Sequence, residues 1–356
     1  MKKIVLGFVV LFIVSGLFAG SFEETMDNLS GDAAKCYVSP LVTAFGTNMD
    51  GGWFHSVPKK SILGLDVEFG IVSMLTLFPD DDKHFSTTGD FYLTREQAED
   101  LIEGVSDIPT IQDALIDKLL SEKFTVGISG ATIIGDEDDH VLIDFFEKPI
   151  EITTAAGMTD VYTIPQHTID TGVGGKLDDI SALPLFAPQL GVGTVYGTRA
   201  YLRYLSSIEI EDLGEFSYWG VGLQHNVKAW IPVPMPIDIS LSAFTQRLKI
   251  GDIVDAKATT VGLNAGKTFG FRFLSITPYT GLMYEKSTME FDYDYEIGEN
   301  PITHESITQN INFEMDGENE GRLVIGSAFR LGVYYFSADY NIGKYNSITA
   351  NLGVAF

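Results

Sequence analysis

The sequence predicts an all-β protein, an antiparallel transmembrane β-barrel of about twelve strands. Three observations predict this fold. The first 21 residues have the form of an export signal, no later segment is suited to a membrane-crossing helix, and apolar and polar residues alternate along the chain as far as Phe356. A chain in lipid must pair all its backbone groups, so only helices and closed barrels cross membranes. Because no membrane-crossing helix is predicted after the export signal, a closed β-barrel is the predicted structure.

The N-terminus predicts export. Lys2 and Lys3 precede an apolar run over residues 4–14, and the small residues 19–21 form a signal-peptidase site. Residues 1–21 are therefore predicted to be a cleaved signal peptide. The alternative is an uncleaved anchor helix, but the apolar run is short for a hydrocarbon core of about 30 Å.

Residues 180–198 are the longest uncharged stretch after the signal. Pro184, Pro188 and three glycines interrupt it. Proline removes a helical hydrogen bond and glycine is a poor helix former, so this stretch is not predicted to be a transmembrane helix.

The last ten residues carry the clearest alternation. Ile348, Ala350, Leu352, Val354 and Phe356 share one face, and small or polar residues share the other. This pattern resembles the last strand of Gram-negative outer-membrane β-barrels. The resemblance implies an outer-membrane location, lipid as the surrounding medium, and recognition of Phe356 by the barrel assembly machinery. A half-buried edge strand of a soluble sandwich also alternates, and is the alternative.

Similar segments predict the barrel over residues 53–356, with an extracellular helical insertion at 78–122. Twelve strands are predicted, and the number of strands becomes fourteen if residues 302–314 form their own membrane-crossing hairpin. The twelve predicted strands lie at 61–77, 123–135, 140–154, within 160–190, and at 196–211, 216–230, 236–250, 256–271, 275–296, 321–331, 333–342 and 346–356.

Residues 22–52 are predicted to be an N-terminal hatch that enters the barrel. A short helix is expected from Ser30, as its N-cap, to Val38, with Pro40 forcing the chain out of it. The segment carries the apolar side chains of Tyr37, Val38 and Phe45, which are expected to be buried away from water. The alternative is a periplasmic tail that docks partners.

The candidate lumen residues come from two adjacent predicted strands. Arg199 and Arg203 lie four apart and share a face, which predicts a positive constriction suited to anionic solutes. The next strand adds Gln224, Asn226 and Lys228. The alternative is that these cations form salt bridges within the lumen with Asp66, Glu68 and Asp238.

Composition excludes several other functions. With 49 acidic and 23 basic side chains, the formal net charge is -26, which argues against nucleic-acid binding. The single cysteine excludes a disulfide framework. Residues 262–268 fall one residue short of a phosphate loop, the six histidines are scattered, and the acidic clusters are interpreted as solvated loops. No catalytic residue, metal site or cofactor is predicted, and the protein is not expected to be an enzyme.

Two further resemblances concern the family. The segment SGDAAKCYVSPLVTAFGTNMDGGW, residues 30–53, resembles the N-terminal hatch of long-chain fatty-acid transporter type barrels, although that family's Asn-Pro-Ala signature is absent. Residues 218–222, 228–232 and 338–343 resemble a closer family of uncharacterised outer-membrane barrel proteins. These resemblances imply fold and compartment, and they name no substrate.

The sequence leaves two functions open. One is a passive channel or uptake porin for small, apolar or anionic molecules. The other is a structural or assembly barrel that anchors or hands on secreted proteins without transport.

The terminal strand generates the first prediction. Deleting Phe356 should sharply lower the yield of folded barrel, because the terminal aromatic residue is expected to aid recognition during assembly. The measurement is the heat-modifiable fraction on a gel, with Phe356→Tyr as a control that keeps an aromatic terminus. Normal yield of the deletion variant would show that the terminal residue is dispensable.

Overall fold

A computed structural model of the chain describes residues 31–59, 66–91, 93, 95–121, 124–153, 159–194, 196–210, 214–230, 235–271, 273–299 and 306–356. The predicted signal peptide lies outside the described residues. The chain divides into two compact units. Of the described residues, those within 39–79 and 180–356 form the barrel unit, and those within 31–38 and 80–179 form the inserted unit.

The elements are as follows in chain order. The helices of the described chain are α1 (Gly31–Asp50), α2 (Arg95–Leu101) and α3 (Pro109–Ser121), with one-turn 3-10 helices at Asp80–Asp82 and Val227–Ala229. The strands are β1 (Asp66–Leu77), β2 (His84–Phe91), β3 (Phe124–Ala131), β4 (Leu142–Phe145), β5 (Lys148–Thr153), β6 (Thr159–Ile164), β7 (His167–Asp170), β8 (Ala182–Gly193), β9 (Thr198–Ile210), β10 (Gly214–Asn226), β11 (Asp238–Ile250), β12 (Val254–Gly266), β13 (Phe269–Phe271), β14 (Leu274–Glu299), β15 (Ser306–Asp316), β16 (Gly321–Leu331), β17 (Tyr334–Ile342) and β18 (Ser347–Ala355).

Ten strands of the barrel unit close into an antiparallel ring. Their order is β1, β8, β9, β10, β11, β12, β14, β16, β17, β18 and back to β1. The closing pair aligns Glu68 with Ala355 and Thr76 with Ser347. Two described strands lie outside the ring: β13 pairs with the start of β14, and β15 pairs with β14 from Thr288 onward. The prediction of twelve strands, and its alternative of fourteen, are therefore wrong in number.

The difference between twelve predicted and ten observed ring strands comes from two segments of the inserted unit. Two of the twelve predicted strands, 123–135 and 140–154, fold in the inserted unit, where they become β3, β4 and β5. There β2, β3, β4 and β7 form one sheet and β5 pairs with β6. A small sheet with one buried face alternates with the same period of two as a lipid-facing strand, so the pattern does not separate them. The predicted hairpin at 302–314 overlaps β15, which adds to β14 without entering the ring.

The two faces of the ring are inverted relative to a soluble protein. On β18, Ile348 and Leu352 are 42% and 64% exposed, whereas Thr349 and Asn351 are buried. The same contrast holds around the ring. Exposed apolar residues include Phe69, Ile71, Leu202, Trp219, Val221, Leu223, Leu241, Leu263, Leu282, Ile325 and Phe336, and buried polar residues include Gln189, Arg203, Gln224, Gln246, Thr260, Glu285, Arg322, Asp339 and Asn341. Such an apolar exterior is what a barrel presents to lipid.

The inserted unit contains both helices and strands. Its helices α2 and α3 lie where the sequence predicts helical segments, and the unit continues beyond residue 122 through β3 to β7. Tyr37, from the start of α1, is fully buried in this unit and donates to the carbonyl oxygen of Gly174 at 3.0 Å. Burial raises the pKa of the Tyr37 hydroxyl, so the group remains a protonated donor.

Helix α1 corrects the prediction for the N-terminal segment. The predicted helix ends at Val38, but α1 runs to Asp50 with Pro40 inside it. Proline lacks the N–H for one helical bond and disfavours the helix locally. Every residue from 41 to 50 is buried, and this packing outweighs the local preference, as it does for most protein helices.

The inverted faces generate a second prediction. Replacing the exposed, outward-facing Val221 by arginine should lower the free energy of unfolding in lipid vesicles by about 2–4 kcal/mol, since a cation on a lipid-facing strand is poorly solvated. Denaturant titration in vesicles measures this change. The matched control is Val161→Arg on β6 of the inserted unit, also exposed, which should change stability by no more than about 0.5 kcal/mol. An equally small effect at Val221 would show that this face does not contact lipid.

Candidate functional site

The last turn of α1 and the residues that follow it are contacted by every strand of the ring. We define residues 47–58 as the luminal segment. In ring order from β1, the contacting residues are Thr76, Gln189, Arg203, Gln224, Gln246, Thr260, Tyr279, Arg322, Tyr335 and Asn351. A segment that touches all ten strands of a closed ring lies in its interior. The luminal segment therefore fills the barrel.

Two strand arginines bind the C-terminal end of α1. The last carbonyl groups of a helix have no helical partner and carry a partial negative charge. Arg203 donates to the carbonyl oxygens of Met49 (3.3 Å) and Gly51 (2.8 Å). Arg322 donates to those of Thr47 (3.5 Å) and Asp50 (2.5 Å). Buried cations thus satisfy this helix end.

Trp53 anchors the segment to the wall formed by β9, β10 and β11. Its indole nitrogen donates to Gln246 Oε1 at 2.9 Å, and its ring stacks on Phe244 with a centroid distance of 4.8 Å. The guanidinium of Arg203 lies over the indole ring, 3.8 Å from its centroid. Gly220 makes room, because a Cβ at that position would come within 3.0 Å of the indole. Only glycine allows this close approach without a shift.

A buried carboxylate pair completes this end of the site. Asp50 Oδ1 accepts hydrogen bonds from Gln246 Nε2 at 2.6 Å and from the hydroxyl of Thr260. Glu285 lies 2.7 Å from Arg322 and also accepts from Asn319 at 2.7 Å. Each charge therefore has a charged or polar partner, which buried ions require.

Arg199 occupies the other end of the segment. It is 2.5 Å from Asp66 and 3.1 Å from Glu68, and it donates to the hydroxyl of Ser56 at 3.3 Å. His55 Nε2 lies 3.5 Å from Glu68, and the His55 ring stacks on Tyr335. The positive charge of Arg199 is thus compensated by two carboxylates.

A cavity of about 390 Å³ opens beside this cluster. His55, Glu68, Arg199, Ser275, Arg330 and Tyr335 are among its lining residues. It lies where the ring strands meet the short turns, close to the C-terminal residue Ala355 of β18.

The five lumen candidates from the sequence lie at different places. Arg203 contacts the α1 end, and Arg199 and Gln224 both bind Ser56. Asn226 donates to the carbonyl oxygen of Pro58 at 2.7 Å. Lys228 lies in the 3-10 turn that follows β10, and the side chain of Asn226 caps this turn by accepting a hydrogen bond from the Lys228 backbone N–H. The Lys228 ammonium group pairs with Asp238 at 2.8 Å. The ion pairs of Arg199 and Lys228 involve the carboxylates that the salt-bridging alternative named.

The four hatch candidates divide between the two units. Tyr37 and Val38 belong to the inserted unit, whereas Pro40 and Phe45 belong to the barrel unit. All four are buried. Phe356 follows β18 with its side chain 67% exposed, and its backbone exchanges two hydrogen bonds with Val67.

The sequence did not identify Asp50, Trp53, Glu285 or Arg322 as site residues. Glu285 and Arg322 are charged residues within alternating strands, at positions whose neighbours face outward. That placement is a usable signal, since a charge within a lipid-facing strand must point inward. Nothing in the pattern of residues 47–58 indicates which of them meets which strand.

Two further kinds of feature concern the described residues, a metal-binding group of side chains and a membrane-crossing helix. No group of three or more histidine, cysteine, aspartate or glutamate side chains in the described residues is arranged to hold a metal ion. None of the helices in the described part of the chain combines the length and hydropathy that a membrane crossing needs.

A closed antiparallel ring with an apolar exterior and a polar interior defines a β-barrel that resembles outer-membrane β-barrel proteins. The chain belongs to the DUF6588 family, a family of unknown function, whose profile matches residues 1–356. No curated protein matches the sequence.

Among solved structures, the chain is similar to several bacterial barrels. A loop-deletion form of the outer-membrane protein OmpT of Vibrio cholerae is 10% identical, with 82% of this chain and 99% of that chain covered and a TM-score of 0.24. The translocator domain of the autotransporter NalP from Neisseria meningitidis is 8% identical, with 91% and 97% covered and a TM-score of 0.22. CdiB from Acinetobacter baumannii is 10% identical, with 82% and 60% covered and a TM-score of 0.18. None of them shows a link to fatty-acid transporters. Because these TM-scores are low, the ring is established by the strand pairing of this chain itself.

The contacts of Arg203 generate a third prediction. Arg203→Met should speed amide exchange of residues 49–53 by at least about tenfold, because two backbone carbonyl groups and Gln189 lose a buried donor. Hydrogen exchange read by mass spectrometry measures this, with gel mobility confirming a folded barrel. The matched control is Arg247→Met, which removes an arginine paired with Asp255 and leaves the luminal segment untouched. Unchanged exchange in Arg203→Met would show that the segment is held without this residue.

Proposed function

We propose that this protein is a gated outer-membrane channel for small polar solutes, in which the luminal segment acts as the hatch. The observation that carries the proposal is the contact of residues 47–58 with all ten strands of the ring. Rings of about eight strands hold only side chains, whereas rings of about sixteen leave an aqueous channel. A ten-strand ring filled by a peptide segment passes solute only after the segment moves.

The exterior of the ring supports an outer-membrane location. Large apolar side chains cover its outer face, which is stable in lipid and a liability in water. Outer-membrane lipid is the surrounding medium in this proposal, and the barrel assembly machinery is the partner that inserts the chain. The export signal predicted at residues 1–21 supplies the route.

The polar lining sets the kind of solute. The residues that face the luminal segment are mainly amides, hydroxyls and compensated ion pairs. Such a wall favours polar solutes over the apolar molecules that the sequence left open. The paired charge of Arg199 likewise weakens the case for a strongly anion-selective constriction.

The segment is built to move without unfolding the ring. After Asp50 it has no regular secondary structure, and side-chain contacts alone hold it to the strands. Gly52, with a φ of 66°, allows the sharp change of direction that follows the helix. Release of the segment leaves the ladder of ring hydrogen bonds intact.

A reversible disulfide tests the proposal and is the fourth prediction. A Cβ at Gly51 would lie 3.1 Å from Cγ2 of Thr349 on β18, close enough for a disulfide between Gly51→Cys and Thr349→Cys in a Cys36→Ala background. In planar bilayers, oxidation should abolish conductance and reduction should restore it, because the bond fixes the hatch to the wall.

The matched control places the disulfide in the wall alone. Thr245 and Thr259 are paired across β11 and β12 on the outer face, so Thr245→Cys with Thr259→Cys should conduct equally when oxidised and reduced. Conductance that is insensitive to the Gly51–Thr349 disulfide would overturn the proposal that the luminal segment is the hatch. Absence of conductance in both the oxidised and the reduced Gly51–Thr349 variant would overturn the proposal that the protein is a channel.

The second candidate function is a barrel that anchors or hands on secreted proteins. The observation that favours it is the inserted unit, which folds between β1 and β8 with its own sheets and core. A filled lumen without conductance in the reduced double-cysteine variant is the outcome that this function predicts.

A further inference from the structure

The outer face of the ring carries its basic residues in one sector. Exposure alternates along the ring strands and identifies the positions that face outward. The outward-facing lysines and arginines of the described ring strands all lie on the neighbouring strands β11, β12 and β14, and they are Arg247, Lys249, Lys257 and Lys286. The described outward positions of the other seven ring strands carry neither residue type. We define these four residues as the basic patch, which stands out in a chain with a net charge of -26.

The basic patch lies directly beyond the apolar band on each of its three strands. Towards the end of the ring where β11 is joined to β12, the outward residues follow in this order: Leu241, Ala243, Thr245, Arg247 and Lys249 on β11, Leu263, Val261, Thr259 and Lys257 on β12, and Leu282, Tyr284 and Lys286 on β14. Trp219, exposed on β10, is the cross-strand partner of Arg247. Tryptophan and tyrosine mark the boundary between the lipid tails and the headgroups, so the basic patch begins at the depth of the headgroups.

The lengths of the connections identify this end of the ring. It carries the two longest ones, residues 78–181 between β1 and β8 and residues 292–320 between the ring portion of β14 and β16. The other end carries only short connections, at 194–197, 227–237, 267–273 and 332–333. Outer-membrane barrels have short periplasmic turns and longer extracellular loops. The basic patch therefore faces the headgroups of the outer leaflet.

Two cations of the patch already have an ionic partner. Arg247 pairs with Asp255 on the neighbouring strand, and Lys249 lies 3.8 Å from the same carboxylate. The pairing fixes the guanidinium of Arg247 on the wall, since the Arg247 Nε donates to Asp255 Oδ1 at 2.7 Å. A guanidinium has five N–H donors, so the paired group can still donate to a second anion.

The other two cations, Lys257 and Lys286, form no salt bridge among the described residues. Further carboxylates of β14, Glu290 and Asp292, follow Lys286 away from the apolar band, and both accept hydrogen bonds from Asn312, at 3.3 and 3.2 Å. The two lysines nearest to the apolar band on β12 and β14 are therefore free to bind an anion from the membrane.

The strand register brings these cations together. Arg247 lies directly opposite Lys257, and Lys257 lies opposite Thr288, two residues from Lys286. Diagonal neighbours of this kind are about 7–8 Å apart, and like charges that face each other across strands are destabilising. An anion between them relieves the repulsion. A phosphate group, with a charge of about -1.5 to -2 near pH 7 and three acceptor oxygens, can contact all three cations.

The apolar band decides which phosphate fits. A lipid carries its acyl chains directly beneath its phosphate, and the outward side chains beneath Lys257 and Lys286 are a threonine followed by apolar and aromatic groups. A free anion would leave that apolar surface unused. We infer that the basic patch binds the phosphate group of an outer-leaflet lipid, with Arg247, Lys257 and Lys286 on the phosphate and the acyl chains on the apolar residues of β11, β12 and β14.

This inference goes beyond the proposed function, because the basic patch faces away from the lumen. It depends only on the lipid-facing exterior of the ring. Loss of lipid binding would leave the disulfide-controlled conductance unchanged, and absence of conductance would leave the lipid site unchanged.

The test measures how much lipid the full chain retains in a non-ionic detergent after gel filtration. The probes are dioleoyl phosphatidic acid, which carries a phosphate monoester, and dioleoylglycerol, which has the same acyl chains without the phosphate. The protein should retain at least about tenfold more phosphatidic acid than dioleoylglycerol, because each basic residue near the surface strengthens the binding of an anionic lipid. Equal retention of the two lipids, or no retention of phosphatidic acid, would overturn the inference.

The variants locate the binding. Lys257→Gln combined with Lys286→Gln should lower the retention of phosphatidic acid at least about tenfold, whereas Lys257→Arg with Lys286→Arg should preserve it, since arginine keeps the charge. The matched control, Lys83→Gln with Lys118→Gln, removes the same charge from exposed positions of the inserted unit and should change nothing. Gel mobility confirms a folded barrel in each case. Unchanged retention in the glutamine variant of the patch, or an equal loss in the control, would show that the lipid does not bind at the patch.

Inorganic phosphate distinguishes a lipid from a free anion as the source of the phosphate group. An excess of inorganic phosphate should not displace bound phosphatidic acid, because it cannot replace the contacts of the acyl chains with the apolar band. Complete displacement would assign the basic patch to a soluble anion and would contradict the lipid site.

Discussion

The pairing of β1 with β18 is the interaction on which the rest of the structure depends. It joins the first ring strand to the last, so that the ten-strand sheet has no free edge. Unpaired edge groups in lipid would each cost several kcal/mol. Closure also creates an interior, and only an interior allows Arg203, Arg322 and Glu285 to be buried on strands whose other face is apolar.

Electrostatic compensation governs what the interior can hold. Arg199 pairs with two carboxylates, Arg322 pairs with Glu285, and Arg203 binds carbonyl groups at the end of α1. An unpartnered buried charge would cost several kcal/mol, so each cation fixes the position of its partner. The arginines of the wall therefore locate the luminal segment, and the negative end of a helix provides part of their compensation. A lumen of this kind combines tight closure with contacts that can exchange for water.

The same arrangement separates the stability of the wall from that of its contents. The ring is a continuous ladder of backbone hydrogen bonds, whereas residues 52–58 contact the ring strands through side chains. Local opening draws on the least stable parts of a fold, and such a segment is one of them. A cavity of about 390 Å³, lined by His55, Glu68 and Arg199 among others, lies at its far end. In the proposed function, closure and release of the lumen both involve this one short stretch of chain.

The sequence alone determined the fold class, the alternation of the ring strands and the presence of polar residues such as Arg203 and Gln224 on their inner face. These properties are local, since the period of two is fixed by strand geometry. It did not determine the number of ring strands, because β3 and β5 alternate equally well in a small sheet of the inserted unit. Only the tertiary structure decided that α1 continues through Pro40 and that Asp50 and Trp53 meet Arg322 and Arg203. Those contacts join residues more than 140 positions apart, and their partners are chosen by closure of the ring, which no local pattern encodes.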